Sequence, residues 1–231
     1  MRSVASSIPI RFSRFGDPTF DYEVALAEVA GHIVMRTADP EVLPMRFSDF
    51  SATLDRYVKQ LHEEADNERK AAAAQSKLLD AGAYKLAADP LHPVAPPERL
   101  SEVPQIHFAP LDTAAKKLKE SAQVYEKACN VCVAKRLDIP ASQLAQVNQL
   151  MGTLEQRLLE EQGLPGPPWY RNVIQAPGEL TGYAPKTIPA VHEALDARDW
   201  SRADKYAAVT ANVLDAYRGQ LDQLTVLLSK Q

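Results

Sequence analysis

The chain has 231 residues, 45% hydrophobic and 24% charged, with 26 basic against 30 acidic side chains and a formal net charge of -4. That length is enough for one sizeable core or two small ones, and the acidic balance lacks the basic excess of nucleic-acid binders, so no nucleic acid is expected as a partner. No run approaches the roughly 20 apolar residues that a membrane-spanning helix needs.

The first 16 residues, MRSVASSIPIRFSRFG, carry Arg2, Arg11 and Arg14, several serines and no acid, the composition of an organellar transit peptide. Tyr22, Ala25, Val29 and Ile33 then recur every three or four residues, which predicts a helix with one apolar face ending at Asp39-Pro40. A second helix is expected after Ser48, a candidate N-cap, with Phe50, Leu54, Tyr57 and Leu61 on one face. The charged run HEEADNERK that follows reads as solvated helix surface.

Between about 67 and 110 the chain reads as a Pro-rich insertion. Ala71 to Ala74 can continue a helix, but Pro90, Pro93, Pro96, Pro97, Pro104 and Pro110 remove donors and clash with a preceding turn. Helix is expected again near Asp112, with Leu111, Ala115, Leu118, Ala122, Tyr125, Cys129 and Cys132 in register, and another after Pro140 carries Leu144, Val147, Met151, Leu154 and Leu158. The last helix has Ser201 and Asp204 as a capping-box-like pair and a stripe of Tyr206, Val213, Leu214, Tyr217, Leu221, Leu224 and Leu228. No segment alternates as a strand, so the expected fold is all-α, a bundle of four to five main helices.

Little in this pattern carries chemistry. Cys129 and Cys132 have CxxC spacing, but no second ligand pair accompanies them, and both lie on an apolar stripe as small core residues would. His62-Glu63-Glu64-Ala65-Asp66 begins like HExxH, yet Asp66 stands where the second histidine belongs. His32, His92, His107 and His192 are scattered singly, and neither a GxSxG elbow nor a phosphate-binding glycine loop occurs.

The outstanding segment is the irregular stretch from Gly163 to Pro189, GLPGPPWYRNVIQAPGELTGYAPKTIP, which is too long for an ordinary helix connection. Within it, PWYRNVIQAP followed by GYAPKTIPA resembles the C-terminal domain of the glutamate carboxypeptidase and transferrin receptor family, where the segment typically reads PxYRHVIYAP, then KY or GY, then a TxPG-like turn. A second stretch, Phe15 to Phe50, resembles the family's junction between its peptidase and helical domains.

The resemblance implies a remnant of a peptidase domain over 1–39 and a helical dimerisation domain over 40–231, with homodimers as the expected assembly and association with a peptidase domain as a further partner. In the family's zinc peptidases the tyrosine matched by Tyr183, preceded here by Gly182, binds the substrate's terminal carboxylate. Trp169, Tyr170, Arg171 and Asn172 belong to the same motif, although Asn172 replaces its usual histidine and Gln175 its tyrosine. Trp169 and Tyr170 are expected to pack the loop onto the bundle.

The family's Tyr-His-Ser motif, which supplies a zinc ligand, would fall at Met1-Arg2-Ser3, where its tyrosine and histidine are missing. The start therefore reads as a truncation inside a peptidase domain, and no zinc, other cofactor or catalytic residue is expected in the chain. The expected function is that of a non-catalytic dimerisation domain. The alternatives are the C-terminal part of a zinc-dependent exopeptidase, or a receptor-like scaffold that binds another protein.

Overall fold

The computed structural model describes residues 12–89, 91–92, 94–135, 139–167, 169–178 and 185–229. Met1, Arg2 and Ser3 lie outside the described residues, as do Gly182 and Tyr183. Contacts divide the chain into two compact units after Met45.

In the first unit, a π-turn at Phe12–Gly16 precedes helix α1, Asp21–Ala38. Asp17 is buried and its carboxylate accepts the Glu23 amide at 3.0 Å, satisfying one of the free N–H groups at the start of α1. The helix ends where Asp39-Pro40 was expected to end it. None of its residues is buried: Tyr22, Leu26 and Ile33 are 79%, 69% and 59% exposed.

The second unit is a helical bundle. It contains α2 (Phe47–Asp80), the short α3 (Ala83–Leu86), α4 (Ala109–Lys135), α5 (Ala141–Thr153), a 3-10 turn at Leu154–Leu158, strands β1 (Gln175–Pro177) and β2 (Pro185–Thr187), α6 (Pro189–Asp196) and α7 (Trp200–Ser229). The strands pair antiparallel with Gln175 opposite Thr187. Helix α7 is the common neighbour, packing against α4 along most of its length and against α5, the 3-10 turn and α6, while α2 lies across α4 and touches α6.

The core follows the expected stripes. Leu111, Ala115, Leu118, Ala122 and Tyr125 of α4 face Val213, Leu214, Tyr217, Leu221, Leu224 and Leu228 of α7, and all are buried. Phe47 meets Tyr125 edge-on at a centroid distance of 4.9 Å and Tyr217 at 6.4 Å, so α2 enters the core through aromatic contacts. Cys132 is buried and its thiol donates to the Leu228 carbonyl at 3.3 Å, while Cys129 is half-buried.

Four local expectations need correction. Ser48 lies in the first turn of α2, after Arg46 at the cap position, and its hydroxyl donates to Glu126 of α4. Ser201 and Asp204 both lie inside α7; the cap is Asp199, whose carboxylate accepts the Arg202 amide at 3.0 Å, and Asp204 accepts the His107 amide at 2.6 Å. Pro110 sits in the first turn of α4, where the missing N–H has no intrahelical partner in any case. Helix α2 continues to Asp80, well past 67, because the run Ala71–Ala74 carries helix-favouring residues and the first proline comes only at 90.

Leu221 has no exposed surface and Val226, on the same helix, is half exposed. Leu221→Ala is expected to cost about 2–5 kcal/mol in denaturant unfolding, and Val226→Ala less than about 0.5 kcal/mol. Burial, the largest influence on both, pushes the phenols of Tyr125 and Tyr217 well above the ordinary tyrosine range, with Cys129 beside Tyr125 and Glu155 near Tyr217 adding smaller contributions. Because the unfolded chain releases both protons near pH ~10 while the folded chain retains them, stability is unaffected by these groups below that pH and falls as pH rises above it. Alkaline titration should therefore show two tyrosines ionising only together with the loss of helical circular dichroism.

Candidate functional site

The segment that carries the family-like motif folds back on itself from Leu158 to Val173. The Val173 amide donates to the Leu158 carbonyl at 3.0 Å, Glu160 to Arg171 at 2.9 Å, and Leu164 to Tyr170 at 2.7 Å, so two arms zip together antiparallel beneath a proline-rich tip. Gly163 and Gly166 take positive φ of 81° and 122°, backbone conformations that favour glycine, and let the chain reverse there. Pro165 and Pro167 stiffen the tip.

The motif residues divide by role. Tyr170 is buried at the base and its hydroxyl donates to the Pro177 carbonyl, fastening the turn to β1. Arg171 donates through Nε to the Glu160 carbonyl at 2.9 Å. Asn172, in the place of the family's histidine, accepts the amides of Ile174 and Gln175 at 2.9 and 3.1 Å, so its side chain shapes the bend into β1. Gln175 donates to the Tyr57 hydroxyl at 3.0 Å, linking the strand to α2. Val173 and Ile174 are buried below.

Trp169 departs from its expected packing. It is 69% exposed and touches Tyr170 edge-on at 6.0 Å. The reason is geometric: with Tyr170 turned inward, its neighbour at the tip points away. Strands β1 and β2 close the ends of the segment that contains Gly182 and Tyr183, which lie outside the described residues.

A group of charges missed by periodicity ties this region to α2. His192 Nδ1 lies 2.5 Å from Glu64, and Arg198 donates to Glu68 at 2.6 Å, with all four side chains half-buried. Glu64 and Glu68 are one helical turn apart in the run HEEADNERK, so that run is not wholly solvated surface. The available signal was Ala65 between them, an apolar residue in phase with Leu54, Val58 and Leu61. Arg198 also sits at φ 54° and covers the Trp200 ring at 5.4 Å.

On the other side of α2, an open cavity of about 650 Å³ is lined by His62, Asp66, Arg69, His107, Phe108 and Asp112. His62 Nε2 lies 2.8 Å from Asp112 and the ring stacks edge-on with Phe108 at 4.8 Å, so the HExxH-like start joins α2 to α4. Among the described residues, no three His, Cys, Asp or Glu side chains are grouped to hold a metal ion.

Residues 106–222, which contain the hydrogen-bonded turn and both helices of the α4–α7 seam up to Asp222, match the family described as the transferrin receptor-like dimerisation domain. The chain is 24% identical over 79% of its length to the probable glutamate carboxypeptidase LAMP1 of Arabidopsis thaliana. It is 25% identical over 90% to a probable glutamate carboxypeptidase of Arthroderma benhamiae, and 24% identical over 93% to the aminopeptidase NAALADL1 of Rattus norvegicus. It spans only 21%, 24% and 25% of those three proteins.

Combining Glu68→Ala with Arg198→Ala is expected to reveal a coupling of about 1 kcal/mol in a double-mutant unfolding cycle. Arg198→Ala should be the costlier single change, because it also uncovers Trp200. Strict additivity of the two substitutions would show that the ion pair holds nothing.

Proposed function

The chain belongs to the transferrin receptor-like dimerisation domain family, and from that premise we propose that it is a non-catalytic helical domain of a glutamate carboxypeptidase-like protein, pairing two copies of that protein. The observation that carries this reading is the family match over 106–222, the stretch in which α4 and α7 build the core. Symmetric pairing is also the commonest closed assembly of soluble proteins.

The chain also associates with a peptidase domain in this reading. Two observations support it. The similar carboxypeptidases and aminopeptidase are about four to five times as long as the stretch they share with this chain. Helix α1 carries Tyr22, Leu26, Val29, Ile33 and Val34 exposed, and several exposed apolar side chains on one helix are what a packing surface for another domain offers. Hydrolysis belongs to the zinc centre of that further domain, and the loop closed by β1 and β2 lends it Tyr183 for the terminal carboxylate of a peptide. Gly182 supplies no cation there, so a preference for an acidic terminal residue is not expected.

Size-exclusion chromatography with light scattering should give twice the 25.5 kDa of one chain at micromolar concentration. A monomer under those conditions would sink the dimerisation reading. The purified chain should contain no stoichiometric zinc and leave dipeptides intact; zinc-dependent hydrolysis would overturn the non-catalytic assignment.

A further inference from the structure

We infer that the turn bearing Trp169 is the contact face between two copies of this chain, with the indole of each seated in the groove beside the turn of the other. The inference rests on the dimerisation reading and deepens it by naming the surface. Among the described residues of 106–222, the exposed large apolar side chains are Val124, Val131, Leu159 and Trp169. Two of the four, including the largest and most exposed, belong to this one turn.

The turn is built to present an anchor. Its arms are fastened by backbone hydrogen bonds, its base by the Tyr170 hydroxyl, and its tip is stiffened by prolines, so little ordering remains to be done when Trp169 is buried. Tryptophan in such a position is the commonest type of interface hot spot.

A groove of about 560 Å³ opens beside the same turn, lined by Leu159, Glu160, Glu161 and Arg171 and by Val213 of α7. The same turn thus supplies the knob and lines the groove, and a two-fold contact requires that each copy offer both halves. The charges agree. Glu160, Glu161 and Arg171 form no ion pair among the described residues, and they carry both signs, so a second copy can meet Arg171 with Glu161 and the reverse. A partner of uniform charge would leave one sign unmatched.

Sedimentation equilibrium of the full chain over a dilution series tests the proposal. Trp169→Ala should weaken self-association at least about tenfold while leaving the melting curve of the dissociated chain, taken at the lowest concentration, unchanged, because the side chain is mostly exposed. Arg171→Glu and Glu161→Arg should each weaken it, and the double variant should recover association. A dimeric parent chain whose Trp169→Ala, Arg171→Glu and Glu161→Arg variants pair as tightly would overturn this face while leaving dimerisation standing. A monomeric parent chain would overturn both.

Discussion

Burial of α7 governs the rest of the architecture. Ala203, Ala207 and Ala211 are small enough for α6 and its neighbours to approach the first half closely, and Leu214, Leu221, Leu224 and Leu228 fill the second half against α4. Three polar side chains of α7 that enter this core, Thr210, Gln220 and Thr225, are hydrogen-bonded. Thr210 and Thr225 donate to the carbonyls one turn back, and Gln220 donates to the Leu150 carbonyl at 2.6 Å and to Thr153 at 3.0 Å while accepting from Arg157 at 2.7 Å. Gln220 therefore locks α5 and the 3-10 turn onto α7.

From that anchor the irregular segment acquires its shape. Leu154 and Leu158 are buried beside α7, which sets where the chain leaves the 3-10 turn, and α6 returns it to the start of α7 through Ile188 and Arg198, both at positive φ. Neither residue favours that backbone region, and both are held by their surroundings: Ile188 is fully buried, and Arg198 is paired with Glu68. The loop is thus a braced element rather than a connection, and its outward face is the one that Trp169 occupies.

The helices and their buried faces were legible because single periodic stripes determine them: Leu111 to Tyr125 and Val213 to Leu228 are apolar in sequence and buried in space. Caps were less legible. Ser48, Ser201 and Asp199 are all capable of capping, and which one does so depends on where tertiary partners such as Glu126 draw the others. The charged run after Leu61 was read as solvent-facing because pairing partners 130 residues away in sequence, such as Arg198 for Glu68, leave no local trace. The motif identified the turn, but the opposite fates of Trp169 and Tyr170 followed from hydrogen bonds between its two arms, which composition does not reveal.

In the proposed dimer, the core between α4 and α7 holds each chain together and the turn bearing Trp169 holds the two chains to each other. Hydrogen exchange followed across a range of protein concentrations probes both at once. Amides of α4 and α7 should remain strongly protected even where the chain is dissociated, while amides between residues 158 and 173 should go from weak to strong protection as the concentration increases. Exchange between residues 158 and 173 that is insensitive to concentration, or collapse of protection along α4 and α7 in the dissociated chain, would contradict this arrangement.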